Sequence, residues 1–175
     1  MTASSFRNLA PARFAAAGSS VFLLAAMLAG GGLLADPAAP AARPAIYDTQ
    51  ADGAKLVADA VARAGKENKR VLLMFGANWC GWCHKLHGLF ASDPKIAAAL
   101  KEHYVLVLVD VDKGHNAAVN EKYGKPTQFG LPALVVLDAA GTLLTTQDTG
   151  KLEAGDHHDP AKVLAFLDLW ATAKQ

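Results

Sequence analysis

Cys80 and Cys83 are the only cysteines in the chain's 175 residues, and they stand with two residues between them in Trp79-Cys80-Gly81-Trp82-Cys83-His84. Thiols at this spacing can close a small ring: a thiolate attacks a disulfide sulfur, a mixed disulfide forms, and the second thiol displaces the partner. With no cysteine left over, a disulfide here is local and chemically active. The same letters admit metal readings. A zinc half-site needs a second ligand pair, and the chain offers no second Cys pair. Cys-x-x-Cys-His is also the c-type haem attachment pattern, with His84 as axial ligand. Against haem, Met74 is the only methionine beyond the N-terminal stretch, and it lies too close to the motif to serve as the distal ligand. His157-His158-Asp159 invites a further metal reading, but adjacent histidines on a loop are expected in solvent, and Asp159 has a capping task. Asp110 and Asp112 alternate at a strand end and read as solvated turn residues without an acid–base role.

The elements around the cysteines favour redox chemistry. Val71-Leu72-Leu73-Met74-Phe75 is a short apolar run, as expected of a buried strand. After it, Cys83, Leu86, Leu89 and Phe90 recur at helical spacing, so a helix is predicted to begin at or near Cys80. The unsatisfied N–H groups and dipole of a helix start favour an anion and lower a thiol's pKa there. Cys80 is therefore the expected nucleophile, its sulfur exposed. Cys83, a turn deeper, is the expected resolving thiol. Lys85 adds positive potential that favours the thiolate.

The rest of the chain supplies a scaffold of alternating elements. Thr49-Gln50-Ala51-Asp52 has the form of a capping box ahead of Leu56, Val57, Ala60, Val61 and Ala64, a helix predicted to end between Gly65 and Asn68. Asp93-Pro94 opens a helix carrying Ile96 and Leu100. Residues 104–111 read as a buried strand. A short helix follows over 117–123, then a strand over 131–137. The turn 138–141 leads to an antiparallel partner over 142–146. Asp159-Pro160 caps a last helix with Val163, Leu164, Phe166, Leu167 and Trp170. The alternation implies an α/β domain with parallel crossovers.

With Trp79-Cys80-x-x-Cys83 at a strand-to-helix junction, and this element order, residues 46–173 resemble the thioredoxin superfamily. The resemblance implies a thioredoxin-like fold, a central mixed β-sheet flanked by helices. It implies that Trp79 packs beside the cysteines and shields them. It implies that Gly81 and Trp82 set the redox poise, Gly81 keeping the turn accessible and Trp82 forming an exposed apolar plate. His84 is then an exposed residue on the helix's first turn. Pro132 matches the superfamily's cis-proline facing the cysteines, leaving the Leu131 backbone to pair with an extended substrate. Two positions depart from the family. Met74 stands where thioredoxin buries an Asp that assists proton transfer to the second thiol, and Leu108 stands where it carries a lysine. Residues 125–130, ahead of Leu131, are longer than in thioredoxin and reshape the groove.

Arg7 and Arg13 precede an apolar stretch from Phe14 to Ala35, so residues 1–35 read as a signal peptide or an uncleaved membrane anchor, which takes ~20 apolar residues. Residues 36–45, rich in Pro and Ala, read as a linker. Residues 46–175 are the thioredoxin-like domain. Hydrophobic residues at 52 % and charged residues at 19 % indicate a globular chain, and a net charge of +1 without a basic block argues against nucleic acid. The expected function is thiol–disulfide exchange with protein thiols or disulfides and an upstream redox partner, in the periplasm or elsewhere outside the cytoplasm. No cofactor beyond the Cys80–Cys83 pair is expected, and no metal. The alternative is a thioredoxin-fold copper carrier or partner-binding module using the same two sulfurs, with His84 as a further ligand.

Overall fold

A computed structural model describes residues 43–172. The expected leader, residues 1–35, and most of the expected linker lie outside that range. No helix among the described residues is long and apolar enough to cross a membrane.

The first helix, α1 (Gly53–Glu67), starts three residues later than a capping box at Thr49 requires. Asp52 is the cap, its carboxylate accepting from the N–H groups of Ala54 and Lys55. Gln50 instead donates its N–H to Asp48 in a separate turn. The helix ends on Asn68 in the left-handed conformation, a common helix stop. Strand β1 (Arg70–Gly76) then leads through a four-residue turn into α2 (Gly81–Ser92). Asp93 caps α3 (Pro94–His103), and β2 (Tyr104–Asp110) returns alongside β1, in parallel. After α4 (Ala117–Lys122) and a 3-10 turn at Pro126–Phe129 come β3 (Ala133–Leu137) and β4 (Leu143–Asp148). A small hairpin of β5 (Glu153–Ala154) and β6 (His157–His158) precedes α5 (Pro160–Leu169).

The main sheet runs β2-β1-β3-β4, and only its β1–β2 pair is parallel. The sheet is mixed, as expected, but of the expected parallel crossovers the one after β2 is not made. There the six residues of α4 span only about 9 Å, too little to return along the length of the sheet. The chain stays at one end and enters β3 antiparallel to β1, with Ala133 opposite Phe75.

Alternation along the strands divides the core in two. Leu72, Met74, Leu134 and Val136 face α2, α3 and α5, where Leu86, Phe90, Ile96, Leu100, Val163, Phe166 and Leu167 meet them. Leu73, Phe75, Val107, Val109 and Val135 face α1 and α4, against Val57, Ala60, Ala64, Val119 and Tyr123. Leu72, Leu73 and Leu134 are wholly buried, each burial stabilising the fold by roughly 1.5–3 kcal/mol. The cysteines belong to the first of these layers.

Candidate active site

Cys80 is the N-cap of α2, and its sulfur accepts the Cys83 N–H at 3.1 Å. A helix start can present that N–H only to the residue before it, so the sequence position makes Cys80 the sulfur that the helix polarises. The two cysteines are joined in a disulfide, their Cα atoms 5.2 Å apart. Cys83 is fully buried, whereas Cys80 keeps 5 % of its surface, so only Cys80 has any opening to solvent. The first sulfur is thus less exposed than the sequence suggests, because the turn before α2 and its neighbours cover it.

Leu131 and Pro132 lie at the sheet end that carries the cysteines, and the bond between them is cis. The β3 ladder begins only at Ala133. The Pro132 carbonyl accepts from the Thr149 hydroxyl, while Leu131 packs on the layer that contains both cysteines. Beside Leu131 opens a pocket of about 270 Å³ lined also by His115, Asn120 and Thr127. Residues 125–130 include the 3-10 turn Pro126–Phe129, which gives Thr127 to the pocket lining and leaves Phe129 54 % exposed.

The two tryptophans exchange the roles expected of them. Trp79 does not shield the cysteines by packing; it is 65 % exposed, its indole N–H donating to Asp112 at 2.8 Å. Trp82 is no free plate. It is half-buried against the cysteine layer, with the His158 ring edge-on at 5.2 Å and the Lys85 ammonium 4.4 Å from its centroid. Lys85 also donates to the Asp156 carbonyl, so its cation is engaged by the hairpin. Gly81 is half-buried, and a Cβ there would lie 3.0 Å from the Arg43 guanidinium.

His84 is half-buried, not exposed: its Nε2 lies 2.7 Å from the Asn78 carbonyl. A carbonyl only accepts, so Nε2 carries the proton. The Asn78 side chain in turn holds the backbone of Ile46 and Tyr47, accepting both N–H groups and donating to the Tyr47 carbonyl. That places the Tyr47 ring over the active-site turn. A Cβ on Gly76 would collide with the Tyr47 hydroxyl and lie 2.7 Å from Cys83 Sγ. Tyr47 went unnoticed in the sequence because it falls in an aperiodic stretch ahead of α1.

Two further residues contradict the sequence reading. Asp110 is not a solvated turn residue: it is 2 % exposed. It ends β2 directly opposite Gly76, which itself carries no side chain. His158 is not in solvent either. It is 3 % exposed, and neither ring nitrogen has a hydrogen-bond partner. Its neighbour His157 is exposed, as expected. Among the described residues no cluster of three or more His, Cys, Asp or Glu side chains is arranged to hold a metal ion.

Burial, reinforced by the Lys85 and His157 charges, pushes the His158 pKa down from 6.5 to about 4. The folded protein therefore excludes a proton that the unfolded chain accepts. His158 contributes its full stability above about pH 6.5 and loses it as the pH falls towards 4. Thermal midpoints should drop across that window, and His158→Phe, which keeps a ring without a titratable nitrogen, should flatten the drop. An identical fall in both proteins would show that His158 is not the group responsible.

A thioredoxin-like family model matches residues 54–139. Among solved structures, a disulphide isomerase from Xylella fastidiosa Temecula1 is 31 % identical, over 71 % of this chain and 95 % of its own, with a TM-score of 0.64. A thioredoxin from Thermus thermophilus is 22 % identical, over 64 % of this chain and 81 % of its own, at a TM-score of 0.49. A thioredoxin-fold protein from Helicobacter pylori is 20 % identical, over 59 % and 69 %, at 0.47. No curated protein matches the chain.

Proposed function

The chain belongs to the thioredoxin-like family, and from that premise we propose that it exchanges its Cys80–Cys83 disulfide with protein thiols and disulfides in the cell envelope. The observation that carries this reading is the disulfide itself, held at the N-terminus of α2 with one sulfur slightly open and the other sealed. The Xylella relative, described as a disulphide isomerase, supports the same chemistry. The apolar, arginine-flanked stretch at residues 14–35 supports export.

In this mechanism Cys80 forms the bond to the partner and Cys83 breaks it. The α2 N-terminus stabilises the Cys80 thiolate through the Cys83 N–H. Leu131 and Pro132 offer the edge on which an extended partner chain docks, with Trp79, Gly81 and Trp82 bordering it. His84 and Lys85 tune the site through Asn78 and Trp82, which they touch. The pair needs no other cofactor. The direction of electron flow follows its reduction potential against the partner's, about 30 mV for each 1.4 kcal/mol.

The test is turnover. The purified domain should catalyse both insulin reduction by dithiothreitol and reshuffling of scrambled ribonuclease, and Cys80→Ser should abolish both. Residues 1–45 fused to alkaline phosphatase should give active enzyme outside the cytoplasm. Tight Cu(I) uptake by the reduced protein with no turnover of either substrate would replace this reading with that of a metal carrier.

A further inference from the structure

We propose that Tyr47, Asp110 and His115 form the path by which Cys83 exchanges its proton with solvent. The inference rests on the thiol–disulfide reading and assigns a part of it to residues outside the cysteine motif. Cys83 has to lose a proton before it can attack, yet it has no solvent exposure. The strand position before it offers no acid or base, because Met74 stands there, fully buried.

The sheet supplies one from the neighbouring strand. Gly76 pairs with Asp110 just as Met74 pairs with Leu108, so Asp110 lies on the face that carries the cysteines. Gly76 has no side chain, and the space above it is shared by the Tyr47 hydroxyl and Cys83 Sγ. Tyr47 is 3 % exposed and its hydroxyl has no hydrogen-bond partner; the same is true of Asp110 Oδ1. Buried polar atoms left unpaired cost stability, and such groups call for an explanation. Burial, and after it the Asp110 charge, holds the Tyr47 pKa above its ordinary value, so Tyr47 stays a neutral hydroxyl that both donates and accepts. The second Asp110 oxygen lies 3.0 Å from His115 Nδ1, and the His115 side chain is 32 % exposed. The series runs from a sealed sulfur, through a buried phenol and a buried carboxylate, to an imidazole in contact with water.

Other ionisable groups lie elsewhere around the site: Asp112 on the Trp79 indole, Lys85, Asp156 and His158 around Trp82, and His84 on the Asn78 carbonyl. Asn116 holds the Asp110 carbonyl and contacts His115 Nδ1 without carrying charge.

The step balances as follows. With a partner bound to Cys80, the Tyr47 hydroxyl, unpartnered in the disulfide form, comes to bridge Cys83 Sγ and Asp110 Oδ1; the Cys83 thiol gives its proton to the Tyr47 oxygen as the Tyr47 proton passes to Asp110. The Cys83 thiolate attacks Cys80 Sγ; the intramolecular S–S bond forms and the Cys80–partner bond breaks. The partner leaves as a thiolate, and Asp110 releases its proton through His115. Tyr47 faces the reacting sulfur, while Asp110 and His115 act through it.

Reduced protein mixed with dithionitrobenzoate separates the two stages, because each coloured thiolate leaves in turn. The first release reports attack by Cys80, the second attack by Cys83. Asp110→Asn and Tyr47→Phe should leave the first unchanged and slow the second roughly a hundredfold near neutral pH. The deficit should shrink as the pH rises and hydroxide ionises Cys83 directly. The double variant should be no slower than the slower single. A second release at the wild-type rate in both variants, or a deficit equal at all pH values, would overturn the path. Absence of the first release in the wild type would instead overturn the thiol–disulfide reading. If Asp110→Asn does not fold, Tyr47→Phe decides alone.

Discussion

Cys83→Ala is expected to stop turnover of protein disulfides, down to the assay background, and to accumulate covalent adducts through Cys80. The two sulfurs differ in access: Cys83 is sealed, whereas Cys80 retains its small opening and the α2 N-terminus behind it. A partner disulfide therefore meets Cys80 first, and the only thiol placed to release the resulting adduct is the one 5.2 Å away in Cα separation. Removing that thiol leaves attack intact and deletes release. Non-reducing electrophoresis of Cys83→Ala cells should show higher bands that dithiothreitol collapses to monomer. Cys80→Ser should show none, and serine remains a good N-cap, so its loss of adducts would not reflect a broken helix. Adducts in Cys80→Ser, or none in Cys83→Ala, would reverse or remove the assigned roles.

The chemistry was legible in the sequence to the extent that it is local. Two cysteines three apart, a branched apolar run before them and a helical period after them place Cys80 at an N-cap, and Cys80 is the N-cap. Most elements followed for the same reason: periods of two and of 3.6 residues are properties of neighbours in the chain. What stayed hidden is set by contacts between distant residues. Asp110 has the composition of a turn; its burial follows only from its register opposite Gly76, thirty-four positions earlier. Tyr47 reaches the cysteines because Asn78 holds its backbone, a contact across a separation of 31 residues. His158 sits in a two-residue strand, too short to show any period. The tryptophans were misread because type alone does not give direction. Trp79 precedes the N-cap and turns outward to Asp112, while Trp82 lies on the first turn of α2 and faces the β5–β6 hairpin.

Gly76→Ala is expected to destabilise the domain by about 1–3 kcal/mol, the usual cost of forcing an extra methyl into a packed core. Gly76 has no positive φ to require glycine; the space requires it. The new methyl would meet the Tyr47 hydroxyl, Tyr47 Cζ at 2.6 Å and Cys83 Sγ at 2.7 Å, all closer than side-chain carbons pack. None of these neighbours yields easily. Tyr47 is buried and held at its backbone by Asn78, and Cys83 is tied to Cys80 and set in the first turn of α2. Tyr47→Phe removes the hydroxyl, so Gly76→Ala should cost measurably less in that background than in the wild type. Denaturant midpoints of the four proteins give the coupling directly, since residues that touch are not additive. A neutral Gly76→Ala, or the same cost in both backgrounds, would mean that Tyr47 does not occupy the space above Gly76, and the proton path through its hydroxyl would lose its first step.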